Sequence, residues 1–424
     1  MISNIRLQDF KNFRDAHLAV GKFTVVVGTN ASGKSNIRDV FRFLHGIGRG
    51  YSLAEIIGGR YGAGGQAEWA QMRGAASEII RFNQTRFQID VEFRTPRHSG
   101  RYHIVVERSE QGRGGFRIVE EWLWSGWETI YTSHPGPDDP VQAQDDETHL
   151  ALRMAKMENQ RKFGYKILTR SDQPGLSQVG DFKNVGRSHK ERVQELMDIF
   201  AGIRFLDLVP DLMRKPAFPG QAILGDSGEN LPTALQAICS DPARKTILME
   251  WVRELTPMDV ADFEFPLDPI TGLVQLALKE DNGNIVSAYS ASDGTLRFLA
   301  MLASLLGKQP ARLYFFEEID NGIHPTRLRL LLDLIERQTE KGTIQVVTTT
   351  HSPELLSMVN DSTFESTSVV FRPRGSDSSI VARVADLPNA AELRTSQGLG
   401  RLHASGWMED MLVLSEPDPI AAAL

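Results

Sequence analysis

The sequence predicts an α/β fold built on a parallel sheet, and two observations support this prediction. The stretch KFTVVVG, residues 22–28, is a β-branched run that ends in glycine, and apolar residues at helical spacing follow it over 35–47. Later, between 293 and 351, a helix, a strand, a helix and a strand succeed one another. Alternation of this kind is typical of a parallel sheet with crossover helices.

The remaining segments have different patterns. Four stretches alternate apolar and polar residues as half-buried strands do, and they predict an antiparallel lobe. These stretches are 2–8, 86–94, 101–109 and 116–124. From about 147 to 215 the composition favours helices, most clearly in LALRMAKMENQ and HKERVQELMDIFAGI. The helical pattern returns at 231–255, and a strand pair is expected near 272–288.

The composition excludes several classes of protein. Among 424 residues, 41% are hydrophobic and 24% charged, and no apolar run approaches the roughly 20 residues of a membrane helix. The single Cys239 excludes an internal disulfide framework and indicates a reducing cytoplasm. The net charge of −7 excludes a generic polyanion binder, so any contact with nucleic acid needs a local basic patch.

A glycine-rich stretch follows the first buried strand. GTNASGKS, Gly28 to Ser35, fits the G-x-x-x-x-G-K-[ST] phosphate loop and lies between a predicted strand and a predicted helix. Gly28 and Gly33 would let backbone N–H groups turn around phosphates, and the helix N-terminus adds its dipole. Lys34 would reach the β- and γ-phosphates, and Ser35 would ligate Mg²⁺. The alternative is a chance match in a glycine-rich turn.

A second strand, in RLYFFEEIDNGIHP, ends in Glu317 and Glu318, with Asp320 shortly after. Two adjacent carboxylates beside an apolar strand are costly to bury unless cations neutralise them. Phosphate-loop ATPases place a Mg²⁺-linked carboxylate in this position, and a neighbouring carboxylate acts as the general base toward water. The alternative is that the glutamates cap a surface strand.

Two further motifs have a structural and a functional interpretation. His351 follows the β-branched run TTT and could donate to a γ-phosphate, although a histidine at a strand end is usually structural. Ser292 and Gly294 open the apolar helix of SASDGTLRFLAMLASLL, whose N-terminus could bind an anion. Equally, Ser292 or Asp293 could be a plain N-cap.

Taken in order, these motifs resemble the ABC-type ATPase heads of the SMC/RecF/OLD group, including AAA_21 proteins. The opening IRLQDFKNF and the stretch GDSGENLPTALQAI add to the resemblance, which covers roughly 1–50 and 220–360. The implied fold is a P-loop NTPase of ABC type. It has a mixed core sheet flanked by helices, an antiparallel β lobe and a helical insertion subdomain.

The resemblance also implies a division into domains. The expected parts are the N-terminal part of the head (1–135), a helical insertion (136–220), the C-terminal part of the head (221–375) and a C-terminal extension (376–424).

In such proteins two heads enclose two ATP molecules, so a homodimer or higher even oligomer is implied, with ATP and Mg²⁺ as cofactors. By resemblance, Glu317 and Ser35 hold the metal, Glu318 is the catalytic base and His351 the switch. The residues implied to contact the nucleotide are Lys11, Asn30, Ala31, Ser32, Gly33, Lys34, Ser35, Asn36, Ser292, Asp293, Gly294 and Asp320. Those at 292–294 would act on the nucleotide of the partner subunit.

Three features depart from the family pattern. Glu317 stands where the metal-side residue is usually aspartate, the signature is SDG rather than LSGGQ, and Ala31 replaces a common glycine. The first departure leaves the turnover rate open. Gln71 is the candidate for the glutamine that usually lines the metal.

Two segments outside the motifs remain ambiguous. Between 161 and 192, eight Lys and Arg residues outnumber three acidic residues for a net charge of +5, with three aromatic residues interleaved. This pattern is typical of a nucleic-acid surface and equally of a solvated face whose basic side chains snorkel. At the C-terminus, Trp407, Met408, Met411 and Leu412 could pack on the head or dock a partner.

Three functions follow from the resemblance. The first is an ATPase that controls a separately encoded effector, a nuclease or toxin, in phage defence or DNA repair. The second is a scaffold clamped by ATP with negligible turnover, and the third is a RecF-like mediator that binds DNA itself.

Overall fold

The computed structural model of the protein describes residues 1–109, 115–134, 147–155, 163–255 and 260–415. In chain order the strands are β1 (Ile2–Phe10), β2 (Phe13–Ala19), β3 (Phe23–Val27), β4 (Arg60–Tyr61), β5 (Ala67–Trp69), β6 (Arg86–Arg94), β7 (Ser99–Arg108), β8 (Phe116–Ser125), β9 (Glu128–Thr132), β10 (His149–Ala155), β11 (Phe163–Arg170), β12 (Ile203–Leu206), β13 (Val260–Glu264), β14 (Ala277–Glu280), β15 (Ile285–Ser287), β16 (Leu313–Phe316), β17 (Gln345–Thr350), β18 (Ser368–Phe371) and β19 (Ile380–Arg383). The helices are α1 (Lys34–Gly48), α2 (Leu53–Gly58), α3 (Gly175–Gln178), α4 (Arg187–Ala201), α5 (Pro210–Met213), α6 (Leu231–Cys239), α7 (Pro242–Leu255), α8 (Asp293–Leu306), α9 (Pro325–Glu340), α10 (Pro353–Ser357), α11 (Asp361–Phe364), α12 (Ala390–Gln397), α13 (Leu399–Ala404) and α14 (Trp407–Ser415).

A mixed core sheet confirms the predicted fold class. Its strand order is β12-β16-β17-β3-β18-β19, and neighbours run parallel except β18 and β19. Alternate residues of β3 face opposite sides: Val26 joins the core that contains α1, and Val25 and Val27 join the core that contains α8 and α9. Every residue of β3, β16 and β17 is buried, as expected for a sheet covered on both faces.

An antiparallel lobe of eight strands covers α1 on its outer side. Its order is β11-β10-β9-β8-β7-β6-β1-β2. Along β6 every second residue from Phe87 to Phe93 is buried, and the Phe87 ring lies edge-on to Phe43 of α1 with 5.5 Å between centroids. The four alternating stretches of the sequence are therefore confirmed as strands of this lobe.

The helix predicted for the first part of 147–215 is wrong. Residues 149–155 and 163–170 are β10 and β11, which extend the antiparallel lobe. Leu, Ala, Arg and Met are good helix formers, yet Leu152 and Met154 alternate toward the core, and pairing with neighbouring strands outweighs local propensity. The helix predicted around HKERVQELMDIFAGI is confirmed as α4. The division into four domains stays a proposal.

A buried carboxylate fastens the segment after β11 to the lobe. Glu121 of β8 accepts hydrogen bonds from the hydroxyls of Tyr102 (3.0 Å) and Tyr131 (2.9 Å). It also accepts from the backbone N–H groups of Gly175 (2.6 Å) and Leu176 (2.8 Å) at the start of α3. Burial raises the pKa of the Glu121 carboxyl group, and the two N–H donors oppose that shift.

The C-terminal helices pack on the core sheet side of the head. Met408 and Leu412 of α14 are buried, which confirms packing for this stretch, whereas Val413 and Leu414 are exposed. A Cβ atom on Gly400 of α13 would lie 2.0 Å from the carbonyl oxygen of Pro353, so α13 contacts α10 through its backbone. In the described part of the chain, no helix is both long enough and apolar enough to cross a membrane.

Candidate functional site

Three of the predicted motifs meet at one edge of the core sheet. β3, β16 and β17 are adjacent and parallel, with Thr350 opposite Val27 and Thr348 opposite Phe316. Their carboxyl ends therefore lie together, and the phosphate loop, the acidic pair and His351 each follow one of these ends.

Two glycines of the phosphate loop are required by its geometry. A Cβ atom on Gly28 would lie 2.2 Å from the carbonyl oxygen of Val370. Gly33 has φ 114°, and a Cβ atom there would lie 2.8 Å from Nδ2 of Asn12. Ala31 has φ 63°, in the left-handed region that favours glycine, so the departure noted in the sequence is a strained position.

Replacing Ala31 by glycine is expected to stabilise the protein. Left-handed backbone costs an L-residue about 1–2 kcal/mol, and the extra freedom of glycine in the unfolded chain offsets part of that gain. We expect the free energy of unfolding in urea to rise by about 0.5–1 kcal/mol. Ala75, also exposed but at φ −73°, is the matched control, and Ala75→Gly should not stabilise. Equal changes in both variants would contradict strain at Ala31.

The phosphate loop fits a polyphosphate. Lys34 donates to the carbonyl oxygens of Gly28 (2.6 Å) and Thr29 (2.9 Å), so its ammonium group lies inside the loop. Burial lowers the pKa of Lys34, and the negative charge of Glu318 opposes that shift. Within the described chain, the buried Ser32 hydroxyl has no hydrogen-bond partner and no side chain caps α1. The Ser32 hydroxyl and the uncapped N–H groups at the start of α1 are donors that phosphate oxygens would satisfy.

A chain of hydrogen bonds supports the loop from behind. Asn36 Nδ2 donates to Asn12 Oδ1 at 2.7 Å, and Asn12 Nδ2 donates to Ser379 Oγ at 2.6 Å. Ser379 Oγ in turn donates to the carbonyl oxygen of Ser32 at 2.6 Å. Asn36, which was predicted to contact the nucleotide, therefore connects the loop to the β1–β2 turn. Asn12 and Ser379 were not predicted, because they lie far from the loop in sequence.

Lys11, the predicted basic phosphate contact, is engaged by the protein. Its ammonium group forms an ion pair with the fully buried Asp39 of α1 and donates to the carbonyl oxygen of Arg73 at 2.8 Å. Asp39 thus neutralises Lys11, and Lys11 joins the segment around Arg73 to α1.

Glu317 is neutralised by arginines. Arg73 donates to both carboxylate oxygens, from Nη1 at 2.9 Å and from Nη2 at 2.7 Å. Arg38 Nε lies 3.8 Å from Oε2 of the same carboxylate. The bidentate fork accounts for how the chain tolerates this carboxylate. Arg73 comes from the same segment as the candidate Gln71, but no motif in the sequence pointed to it. Mg²⁺ on Glu317 would have to displace the fork.

Glu318 adopts an unusual backbone conformation. Its φ of 48° lies in the left-handed region, which costs about 1–2 kcal/mol and is concentrated at functional sites. Its N–H donates to Thr349 Oγ1 at 3.2 Å, and its Oε1 lies 3.4 Å from Nδ1 of His351. Glu318 and His351, predicted separately, are therefore brought together.

The threonines before His351 hold the acidic segment. Besides the contact of Thr349 with Glu318, Thr350 Oγ1 donates to Asp320 Oδ1 at 2.8 Å, and Thr348 Oγ1 donates to the carbonyl oxygen of Phe316 at 3.2 Å. The run TTT was visible in the sequence, but its hydroxyl groups had no predicted role.

The signature residues contact parts of the chain other than the phosphate loop. Ser292 caps α8 by accepting from Thr295 N–H at 3.2 Å, and Asp293 accepts from Arg214 at 2.5 Å. A Cβ atom on Gly294 would lie 2.3 Å from the carbonyl oxygen of Gly322, in the loop after Asp320. Among the residues that the structure describes, no hydrogen bond or ion pair joins Ser292 or Asp293 to the phosphate loop.

The donor set suits Mg²⁺ only together with phosphates. Across the described ranges, no three His, Cys, Asp or Glu side chains cluster as a metal site. Ser35, at the start of α1, and Glu317 would supply one hydroxyl and one carboxylate. Mg²⁺ usually binds proteins through one or two carboxylates plus substrate phosphates and water, so these residues fit.

Comparisons with known proteins agree with this geometry. The family described as "AAA domain, putative AbiEii toxin, Type IV TA system" matches residues 23–357. No curated protein matches the sequence. Among solved structures, the SmcHead bound to the C-winged helix domain of ScpA is similar, with a TM-score of 0.50 and 15% identity over 90% of this chain and 97% of that chain.

Two other similar structures are SMC heads. The SMC head domain from Thermotoga maritima has a TM-score of 0.43 and 12% identity, over 90% of this chain and 98% of that chain. The Smc head domain from Pyrococcus furiosus, bound to the C-terminal domain of ScpA, has a TM-score of 0.45 and 14% identity, over 90% of this chain and 95% of that chain.

The family match spans more than half of the chain, and the fold is that of an SMC-like head. The chain therefore belongs to the AAA_21 family of AAA domains and has the fold of an SMC head.

Proposed function

We propose that the protein hydrolyses ATP with Mg²⁺, forms a dimer around two ATP molecules, and controls a separately encoded effector in phage defence or DNA repair. The observation that carries the proposal is that, among the described residues, Ser292 and Asp293 make no hydrogen bond or ion pair with the phosphate loop of the same chain. In a split site the signature acts on the nucleotide of a second subunit, so it needs no contact with the phosphate loop of its own chain.

Each residue at the sheet edge has a proposed role. Lys34 and the N-terminus of α1 bind the phosphates, and Asn30, Ala31, Ser32 and Gly33 form the loop around them. Ser35 and Glu317 hold Mg²⁺, which neutralises charge on the transferred phosphoryl group when it is bound. Asp320 begins the loop that reaches the dimer interface.

The hydrolytic water would be activated by Glu318. Its carboxylate accepts the proton of the attacking water, and Thr349 holds its backbone in place. His351, near the same carboxylate, would donate a hydrogen bond to the γ-phosphate and so distinguish ATP from ADP. The 3.4 Å separation between His351 and Glu318 allows the two groups to exchange partners when nucleotide binds.

A partner effector, a nuclease or toxin, is the second part of the proposal. The family description refers to a toxin and a type IV toxin–antitoxin system, and a similar SMC head is bound to a winged-helix domain of another protein. Both statements concern relatives. The first supports a role in a toxin–antitoxin or defence system, and the second supports a head that binds another protein.

The RecF-like alternative receives little support from the basic segment 161–192. Arg170 pairs with Asp172, Arg187 with Glu191, and Arg192 with Glu128. Neutralised arginines favour the solvated-face interpretation. The first two basic residues, at 161 and 162, lie outside the described residues. The alternative of an ATP-clamped scaffold is favoured by the fork of Arg73 on Glu317, and a measured turnover would decide it.

Mixing two inactive variants tests the split site. Lys34→Ala removes the phosphate contact, and Ser292→Arg blocks the signature, so neither should hydrolyse ATP alone. In a mixture, half of the random dimers are mixed and each holds one complete site. We expect hydrolysis to recover to about a quarter of the wild-type rate, or less if the two sites are coupled.

The mixture has clear controls. Each variant should keep a cooperative thermal transition, which shows that it folds. Mixing Lys34→Ala with Glu318→Gln should give no recovery, because every site would then lack either the lysine or the base. Absence of recovery in the first mixture, with both variants folded, would contradict a site shared between subunits.

A further inference from the structure

A cavity of about 800 Å³ opens beside the first turn of α1. We call it the side cavity. Its wall includes Lys11, Asn12, Asn36, Arg73, Phe82 and Arg372. A larger cavity, of about 1110 Å³, lies near Met1, Leu313 and Gln345, where β16 and β17 begin. Ligands of parallel sheets bind at the carboxyl ends of the strands, so of these two cavities it is the side cavity that adjoins the site.

The side cavity adjoins the helix that follows the phosphate loop. Asn36 is the third residue of α1, and Asn12 supports the loop through Ser379. Both asparagines line the cavity. A molecule whose phosphates lie at the N-terminus of α1 therefore has its remaining part beside this space, and about 800 Å³ is within the usual range of ligand pockets.

One wall residue, Phe82, is an aromatic side chain that is not packed in the core. Phe82 is 77% exposed, although the other wall residues named are polar or charged. An aromatic ring this exposed loses contact with the core and gains nothing from water. Its face is available to a flat ligand.

The backbone holds Phe82 in a tight turn. Arg81 N–H donates to the carbonyl oxygen of Asp9 at 2.8 Å, and Gln84 N–H donates to the carbonyl oxygen of Arg81 at 3.0 Å. Asn83, with φ 64°, completes the reversal. The buried Arg81 side chain adds ion pairs to Asp9 and Asp377. Phe82 is therefore presented by a fastened turn.

We propose that the side cavity holds the nucleoside part of the bound nucleotide and that the base stacks on the ring of Phe82. This inference rests on the proposed nucleotide function and assigns the residue that contacts the base. Stacking on an aromatic ring tolerates any base, because every base has a π face.

The test compares nucleotides with a ligand that has no base. Dissociation constants for ATP, GTP and inorganic tripolyphosphate are measured by calorimetry with Mg²⁺. Phe82→Ala should weaken ATP and GTP about tenfold and leave tripolyphosphate within about twofold. Phe82→Trp should restore nucleotide affinity. Phe218→Ala, which removes another phenylalanine that is 68% exposed, is the control and should change nothing.

The outcomes separate this inference from the function on which it rests. If the wild type binds ATP and Phe82→Ala binds it equally well, stacking on Phe82 is wrong and the nucleotide site stands. An equal loss of affinity for ATP and for tripolyphosphate in Phe82→Ala also overturns stacking on Phe82, because the substitution then affects the phosphate site. If the wild type binds neither ATP nor GTP, the proposed function itself fails.

Discussion

The Lys34→Ala variant is expected to lose ATP binding, with an affinity at least about a hundredfold below that of the wild type. The Lys34 ammonium group lies within the loop, 2.6 Å and 2.9 Å from two carbonyl oxygens. A polyphosphate there would receive charge-assisted hydrogen bonds from it, each worth about 1.5–3 kcal/mol. Alanine removes these bonds and leaves the phosphates facing the carbonyl groups.

Calorimetric titration with ATP and Mg²⁺ measures this effect. Lys22→Ala is the matched control, because Lys22 is exposed just before β3, the strand that leads into the phosphate loop, and its side chain donates to the carbonyl oxygen of Glu340 at 3.3 Å. Its removal should leave ATP affinity unchanged. A cooperative thermal transition in both variants shows that they fold. Retained ATP binding in Lys34→Ala would overturn the phosphate loop.

Glu318→Gln should slow ATP hydrolysis by about 10²–10⁴-fold while ATP binding persists. Glutamine keeps the shape of the side chain and the backbone contact to Thr349, but its amide cannot accept a proton from water. Because ATP is bound and not consumed, the dimer should accumulate.

Two measurements on this variant are needed. Phosphate release gives the rate, and light scattering with ATP gives the mass, which should double relative to the nucleotide-free protein. Glu354→Gln, an exposed glutamate three residues after His351, should behave as the wild type in both. A Glu318→Gln variant that hydrolyses ATP at the normal rate would show that the base is another group.

The sequence predicted which motifs would meet but not what holds them. Because parallel strands end at one edge, the phosphate loop, Glu318 and His351 could be placed together from strand order alone. Arg73 could not be predicted, since it lies 244 residues before Glu317 in the chain and its segment has no regular pattern. The strand at 149–155 was missed because the helix formers Leu, Ala, Arg and Met fill most of it, and strand pairing is decided by distant neighbours.

The partner of Glu317 bears on whether this residue can bind Mg²⁺. The sequence leaves open whether glutamate can replace aspartate as a metal ligand. In the structure both carboxylate oxygens are engaged by one guanidinium group. The relevant competition is therefore between Arg73 and Mg²⁺.

The contact between Gly294 and Gly322 affects the order in which the two proposed sites hydrolyse ATP. These residues approach each other through backbone atoms: a Cβ atom added to Gly294 would lie 2.3 Å from the Gly322 carbonyl oxygen. No flexible side chain therefore lies between them to absorb a movement of the Gly322 loop. In the proposed dimer, the loop of Gly322 follows the acidic residues that serve a subunit's own ATP, and Gly294 serves the ATP of its partner. Loss of one γ-phosphate would then be transmitted to the other nucleotide as a displacement. The two sites would hydrolyse ATP in turn. The mixture of Lys34→Ala and Ser292→Arg, in which half of the dimers hold one complete site, would then recover less than a quarter of the wild-type rate.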